Sequence, residues 1–503
     1  MNSSRCSRRP YRALGWLLAA GWALSFPLVS ELPPHRLWGW CAGTGYLAAA
    51  GATLLRRPRA AVGLALTGAV AVPLLYLVLS GQGQSEVAVI ERSGRLMLES
   101  GSPYVDRPER VADYNPYLPG MALLGLPRAV LGTDGWVPRL LGDARIWCAA
   151  ALFGGMWGGR RLLGGREAGL PGSGPLGSGL RGSGPPGSGL RAAAPVLVAS
   201  PVVALPLAVS GVDLPLAGLC CLALAAAAAG RPVLAGAVLA GVCGLKWTAW
   251  PAVPVAVALL SAVHGRRAAL RCAVPAVAGT AVLVLPAVLQ QPRELVRQVF
   301  AFPTGRADVP TPASSPLPGR LIAELVPHGW WLTVGLLALG GTVVALSLLL
   351  RPPRTVVAAA DRLAAGLTVA FLLAPAGRFG YLVLPVLLVL WGRWSCGAGG
   401  AGGADGAGGA VGAPGARVSR VVARGAVRGT AGQAGRKAVA RTVVPQSAKL
   451  PPSSGAIWSR PPATPTTIEG AANGSAPEAQ YPSASPRTGV KETVVAAVPP
   501  TGS

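Results

Sequence analysis

Apolar runs of membrane-spanning length recur along this chain, and they constrain its fold more than any other feature. A span needs about 20 mainly apolar residues. Runs near that length lie at 13–30, 35–55, 60–80, 143–159, 193–211, 214–230, 232–247, 249–263, 268–290, 329–350, 355–375 and 379–392. Backbone polar groups in hydrocarbon have no water to bond, so each such run is expected to be helical. Half of the 503 residues are apolar and 13% are charged, which does not describe a soluble enzyme with a charged surface. The fold class expected is an all-α membrane protein of about twelve spans. The division of 232–263 into two spans rests on two short halves.

The formal charge of +26 does not mark a nucleic-acid-binding protein. The basic residues gather in short clusters between apolar runs: Arg5 to Arg12, Arg56 to Arg59, Arg160 and Arg161, Arg231, Arg266 and Arg267, and Arg351 to Arg354. Such clusters favour the cytoplasm. Every second loop is basic, as twelve spans require, and both termini then fall in the cytoplasm. Segments 81–142, 211–213 and 291–328 face outward. The arginines ahead of the first apolar run resemble a secretory leader, but no small-residue cleavage site follows, so a retained helix is expected.

Three regions follow: an N-terminal pair of spans over 1–59, a multi-span region over 60–392, and a basic tail over 393–503. The cytoplasmic segment 166–192 carries a Gly-Ser-Gly-Pro near-repeat ending twice in Leu-Arg, a composition that makes a flexible linker. The tail is Gly/Ala-rich, then Pro/Ser/Thr-rich, and disorder is its expected state. The eight cysteines lack metal-ligand spacing and read as small core residues. His35, His264 and His328 are too scattered for a metal site or a catalytic triad.

Chemistry concentrates in the outward segments. Segment 80–127 is polar, and Val87, Ile90, Leu96 and Leu98 can form the apolar side of a surface helix. Glu86 lies just past the span that closes near Ser80, at the membrane boundary; Glu91 and Glu99 can each pair with an arginine of the same helix. Asp213, at the outer end of a span, is a functional candidate or a helix cap. Lys246, the only lysine before residue 437, lies in an apolar hairpin beside Trp247 and Trp250. It either meets an anion such as a lipid phosphate or snorkels to the headgroups. Arg293, Arg297, Arg306 and Arg320 make an outward cluster that runs against the inside-positive trend, either an attractor for a phosphate head or a set of solvated loop residues. Arg378 belongs to the same candidate anion site, whereas Trp330 and Trp331 read as an interface belt.

Three spaced elements resemble a known family. An acid just after a span, Ser-Gly-Ser-Pro-Tyr at 100–104 and Asp-Tyr-Asn-Pro-Tyr-Leu-Pro at 113–119 look like the first external loop of the family 87 glycosyltransferases, of the GT-C class. Glu86 stands eighteen positions before Tyr104, where that family has an aspartate. The likeness continues at 211–215, 244–248 and 378–381, and Asn115-Pro116-Tyr117 interrupts the family's double proline.

The resemblance implies a GT-C-like bundle similar to the polyprenyl-phosphate-mannose-dependent mannosyltransferases of actinobacteria. It implies transfer of a hexose, mannose in those relatives, from a polyprenyl-phosphate donor to a glycolipid or glycan acceptor outside the cell membrane. Glu86 would be the general base, worth roughly 10²- to 10⁴-fold. Asp213, Lys246, Tyr104, Tyr114, Asn115, Arg306 and Arg378 would bind substrate. No Asp-x-Asp pair stands in the membrane part, so nothing in the sequence calls for a metal or other cofactor, and the partners implied are the lipid-linked donor, the acceptor and membrane lipids. A transporter or lipid flippase, or a non-catalytic relative, are the rival readings; a transporter is expected to carry internal repeats and broken helices.

Overall fold

Each of the twelve apolar runs is helical in the computed structural model, which describes residues 9–164 and 188–396. The tail lies outside the described residues, as does most of the Gly-Ser linker. A helix begins at Ser188, inside the stretch read as linker from its composition.

Six helices are long and apolar enough to cross a membrane: Pro10–Val29, Pro58–Leu79, Trp247–His264, Arg266–Gln290, Gly329–Leu350 and Val356–Leu373. A seventh counts if Pro201–Val209 and Leu214–Ala228, bent by 120° at their junction, are one span. Regular strands are absent among the described residues, where one parallel bridge joins Ser314 to Gly377. The chain is thus a helical membrane protein. Some of the remaining runs are too short for the length criterion: Pro232–Leu245 has 14 residues.

Burial separates a core from a lipid-facing shell. Leu214–Ala228 is the central helix, with twelve of its fifteen residues buried. Around it pack Leu152, Leu239, Leu260, Leu363, Leu388 and Trp391. The outer helices instead present large aliphatics outward, such as Val274 and Val277 on Arg266–Gln290 and Leu339 and Val343 on Gly329–Leu350. Such faces are stable only against an apolar solvent.

Helix breaks inside the bundle have their backbone groups answered by side chains. Pro73 has no N–H to give to the Ala69 carbonyl one turn earlier, and the helix widens to a π turn over Thr67–Ala71. The buried indole of Trp38 donates to that carbonyl at 2.8 Å. Pro201 likewise interrupts the run from Ser188, and the Tyr46 hydroxyl donates to the Ala199 carbonyl at 2.7 Å.

Without a hydrophobic force between helices in lipid, close backbone contact does the holding, and small residues permit it. A Cβ on Gly155 would lie 2.3 Å from the Gly218 carbonyl oxygen, where Ala144–Gly164 crosses Leu214–Ala228. A Cβ on Gly45 would meet the Gly68 Cα at 2.8 Å. Gly155→Leu should therefore cost about 1–3 kcal/mol through overpacking. Gly154→Leu, where nothing stands within 4 Å, should be near neutral. Thermal unfolding of the two variants in detergent checks this, and equal midpoints would contradict the crossing.

Candidate functional site

Four charged residues stand where helices begin or end. Glu86 occupies the first turn of Ser85–Ser100, behind the extended Gln84. Asp213 closes the turn before Leu214, whose preceding Gly211 takes a positive φ of 73°. Lys246 is extended, immediately after Pro232–Leu245, and Arg378 is extended before the short turn Phe379–Leu382.

The fold brings these four ends together as two ion pairs. The Arg378 guanidinium donates to the Glu86 carboxylate, and Lys246 Nζ donates to Asp213 Oδ1 at 2.7 Å. Lys246 also lies over two phenol rings, 4.8 Å from the centre of Tyr381 and 5.6 Å from that of Tyr117. The charges of Glu86, Asp213 and Arg378 reach both phenols. Burial pushes the Tyr117 hydroxyl well above the usual phenol range, and the two carboxylates push it the same way, so it stays a neutral donor. Lys246 thus has its counter-ion within the protein, in Asp213.

The loop over 103–118 forms a wall beside this centre. Tyr104, buried, donates to the Tyr117 carbonyl at 3.0 Å. Asn115 accepts from the Tyr117 N–H at 3.1 Å, donates to the Pro103 carbonyl at 3.2 Å, and gives its own N–H to Gln298 Oε1 at 3.1 Å. Tyr114 stacks on Phe302 with 4.3 Å between ring centres. All three residues shape the loop, and through it they fix Tyr117. Leu118 donates to the Leu245 carbonyl at 3.0 Å, which ties the same loop to the helix end that carries Lys246.

Arg306 is held elsewhere, 4.4 Å over the Trp330 ring and 5.6 Å over that of Trp331. With Arg293, Arg297 and Asp308 it lines an open surface hollow of about 590 Å³. Trp331 is largely exposed, while the Trp330 indole donates to the Thr304 carbonyl. Among the described residues no three His, Cys, Asp or Glu side chains are placed to hold a metal ion.

The surface helix exists, but it is more deeply seated than its pattern implies. Val87, Val89, Ile90, Ser93 and Gly94 are buried, and Leu98 is exposed. Gly94 packs against the Gly125 backbone. Glu91 pairs with Arg128 at 3.2 Å and accepts the Ala144 N–H at 3.2 Å, so its partner comes from outside its own helix. Burial raises the Glu91 carboxyl above its usual range; Asp143 adds to this and Arg128 opposes it.

Several residues of the site were not singled out by sequence reasoning. Tyr117 belongs to the tripeptide that interrupts the double proline, and Tyr381 follows Arg378 in the matched element. His35 meets Gln84 at 2.9 Å, just before Glu86. A buried pair lies beneath both acids: Arg145 Nε and Nη2 contact the Asp143 carboxylate at 2.9 and 2.8 Å. Arg145 Nη1 reaches the Ala208 carbonyl at 3.1 Å and lies against Gly83. Gln84 in turn donates to the Val209 carbonyl at 3.1 Å. Arg145 thus braces the approach to Glu86 and the approach to Asp213 together. An Asp-x-Arg at the head of an otherwise apolar run was the signal available.

No protein-family model, curated protein or solved structure matches this chain. The site stands on its own geometry. Both side chains of the Asp143–Arg145 pair are at most 2% exposed, and removing one partner of a buried pair typically costs about 3–5 kcal/mol. Asp143→Leu and Arg145→Met should each lose stability of that order in detergent melts, and the double variant combining the two should lose less than the sum. Additive losses would show that the two are not coupled.

Proposed function

We propose that this protein is a membrane glycosyltransferase that moves a hexose, mannose by the loop resemblance, from a polyprenyl phosphate to an acceptor outside the cell membrane. The observation that carries the reading is the meeting of two carboxylates, two cations and two phenols at four helix ends beside the loop over 103–117. Glu86 takes the proton of the attacking acceptor hydroxyl. The new bond forms at the anomeric carbon as the bond from that carbon to the phosphate oxygen breaks. The polyprenyl phosphate leaves as an anion beside Arg378 and Lys246, whose charge favours its departure. Tyr117 donates to a sugar or phosphate oxygen. A single displacement of this kind inverts the anomeric centre.

The topology that suits this chemistry has all twelve helical runs crossing, with both termini in the cytoplasm. Leu214–Ala228 and Pro232–Leu245 are then only about 21–23 Å long, against a hydrocarbon core of about 30 Å. In that topology their ends at Asp213 and Lys246 would sit below the outer headgroups. A sugar carried on a lipid reaches such a place from the side, and an acceptor reaches it from above.

A second reading has one observation in its favour. Breaks at charged residues, here at Asp213 and Lys246, also mark the binding sites of transporters. Membranes containing the chain, incubated with a radiolabelled polyprenyl-phosphate sugar, separate the two, because an enzyme alone gives labelled product. Glu86→Gln should lower that product by at least about 10²-fold while leaving expression and insertion intact. Full transfer by the variant would remove Glu86 from its role. For the topology, Glu109→Cys should react with a membrane-impermeant maleimide in intact cells. Arg267→Cys should react only after permeabilisation, and the reverse pattern would invert the orientation.

A further inference from the structure

The two cations at the centre of the site are already occupied. Arg378 holds Glu86 and Lys246 holds Asp213, so the four charges cancel within one partly buried neighbourhood. An anionic substrate gains little from a site whose positive charge is spent, unless one pair opens to receive it. The Glu86 carboxylate is likewise engaged by the Arg378 guanidinium and is not open to an acceptor hydroxyl.

The two pairs differ in how readily they open. Lys246 is fixed from three sides: by Asp213 at 2.7 Å and by the rings of Tyr381 and Tyr117. Its side chain is 11% exposed, against 29% for that of Arg378. Arg378 projects from an extended residue outside any helix, and its planar fork of five donors suits a phosphate, which it can grip with two parallel hydrogen bonds.

The backbone beneath Arg378 is anchored to the second external loop. Gly377 donates to the Ala313 carbonyl at 3.1 Å and accepts from the Ser315 N–H at 3.0 Å, and the Phe379 N–H reaches Ser315 Oγ at 3.3 Å. The guanidinium can therefore change partner by side-chain rotation on a fixed stem.

We propose that Arg378 and Lys246 form one phosphate site whose resting occupants are Glu86 and Asp213, and that an arriving phosphate takes Arg378 away from Glu86. The inference rests on the reading of Glu86 as the base and adds a rule to it. The base is freed only when the phosphate-bearing donor is in place. With no donor bound, Glu86 stays capped by Arg378, so its carboxylate is not open to water.

Two probes test the exchange without turnover: inorganic phosphate and dodecyl phosphate, each titrated calorimetrically into the full chain in nanodiscs. Glu86→Gln removes the competitor for Arg378 and should tighten binding by about fivefold or more. Arg378→Gln should weaken it by at least about tenfold, with Arg378→Lys intermediate. Infrared difference spectra should show a carboxylate band shifting on binding in the native chain and missing in Glu86→Gln.

Tightening with both probes means that the site reads the anion itself; tightening with dodecyl phosphate alone means that it reads a lipid-borne phosphate. Either result supports the exchange. Unchanged or weaker binding by Glu86→Gln, or no binding of either probe to the native chain, overturns it. If the native chain transfers sugar while Glu86→Gln binds no tighter, the exchange fails and the glycosyltransferase reading stands. If the exchange occurs in a chain that transfers nothing, the anion site stands and that reading fails.

Discussion

In hydrocarbon an interrupted helix is as costly as an unpaired charge, because neither the freed backbone groups nor the ion find water. This chain sets the two costs side by side. Asp213, Lys246 and Arg378 all stand at interruptions, where the backbone leaves helical geometry and the bundle must open enough to admit polar groups. Deeper in the bundle, where no charge is present, the freed carbonyls of Ala69 and Ala199 are met by Trp38 and Tyr46. The division is consistent: side-chain donors answer breaks in the apolar core, and paired charges collect at the breaks beside the loop over 103–118.

The loops then do structural work for the charges. Tyr104, Asn115 and Gln298 exchange hydrogen bonds that hold residues 103–117 in one shape. Tyr117 is thereby set against Lys246, and the Leu118 link to Leu245 fixes the spacing. Below, Arg145 and Asp143 tie the segments that carry Glu86 and Asp213 to the head of Ala144–Gly164. Each charge of the site is supported from a different element.

Much of the architecture was legible because apolar length is a local signal. Every apolar run is helical, with 193–211 broken at Ser200, and the positions of Glu86, Asp213, Lys246 and Arg378 stood out as charges bordering apolar sequence. Their pairing was not legible. Glu86 and Arg378 are 292 positions apart, and Lys246 and Asp213 are 33 apart, so no local pattern links them. Lys246 offered two partners on paper, a lipid phosphate or the headgroup region, and it meets a third in Asp213. Polar loop residues such as Tyr114 and Asn115 carry the same sequence signal whether they contact a ligand or brace the loop that does. Glu91 had arginines at helical spacing, but burial of its helix turned it toward Arg128 instead.

The glycine crossings have a mechanical consequence. At Gly155 with Gly218, and at Gly120 with Gly244, backbone meets backbone with no side chain between them to act as a bearing. Surfaces in such contact behave like welds: sliding by a fraction of a turn would drive a Cβ into a carbonyl. Rocking one half of a bundle against the other needs lubricated interfaces, and those around this centre have none at the welded points. A frame so joined is suited to holding four helix ends in register while small groups, such as a guanidinium or a loop, do the moving.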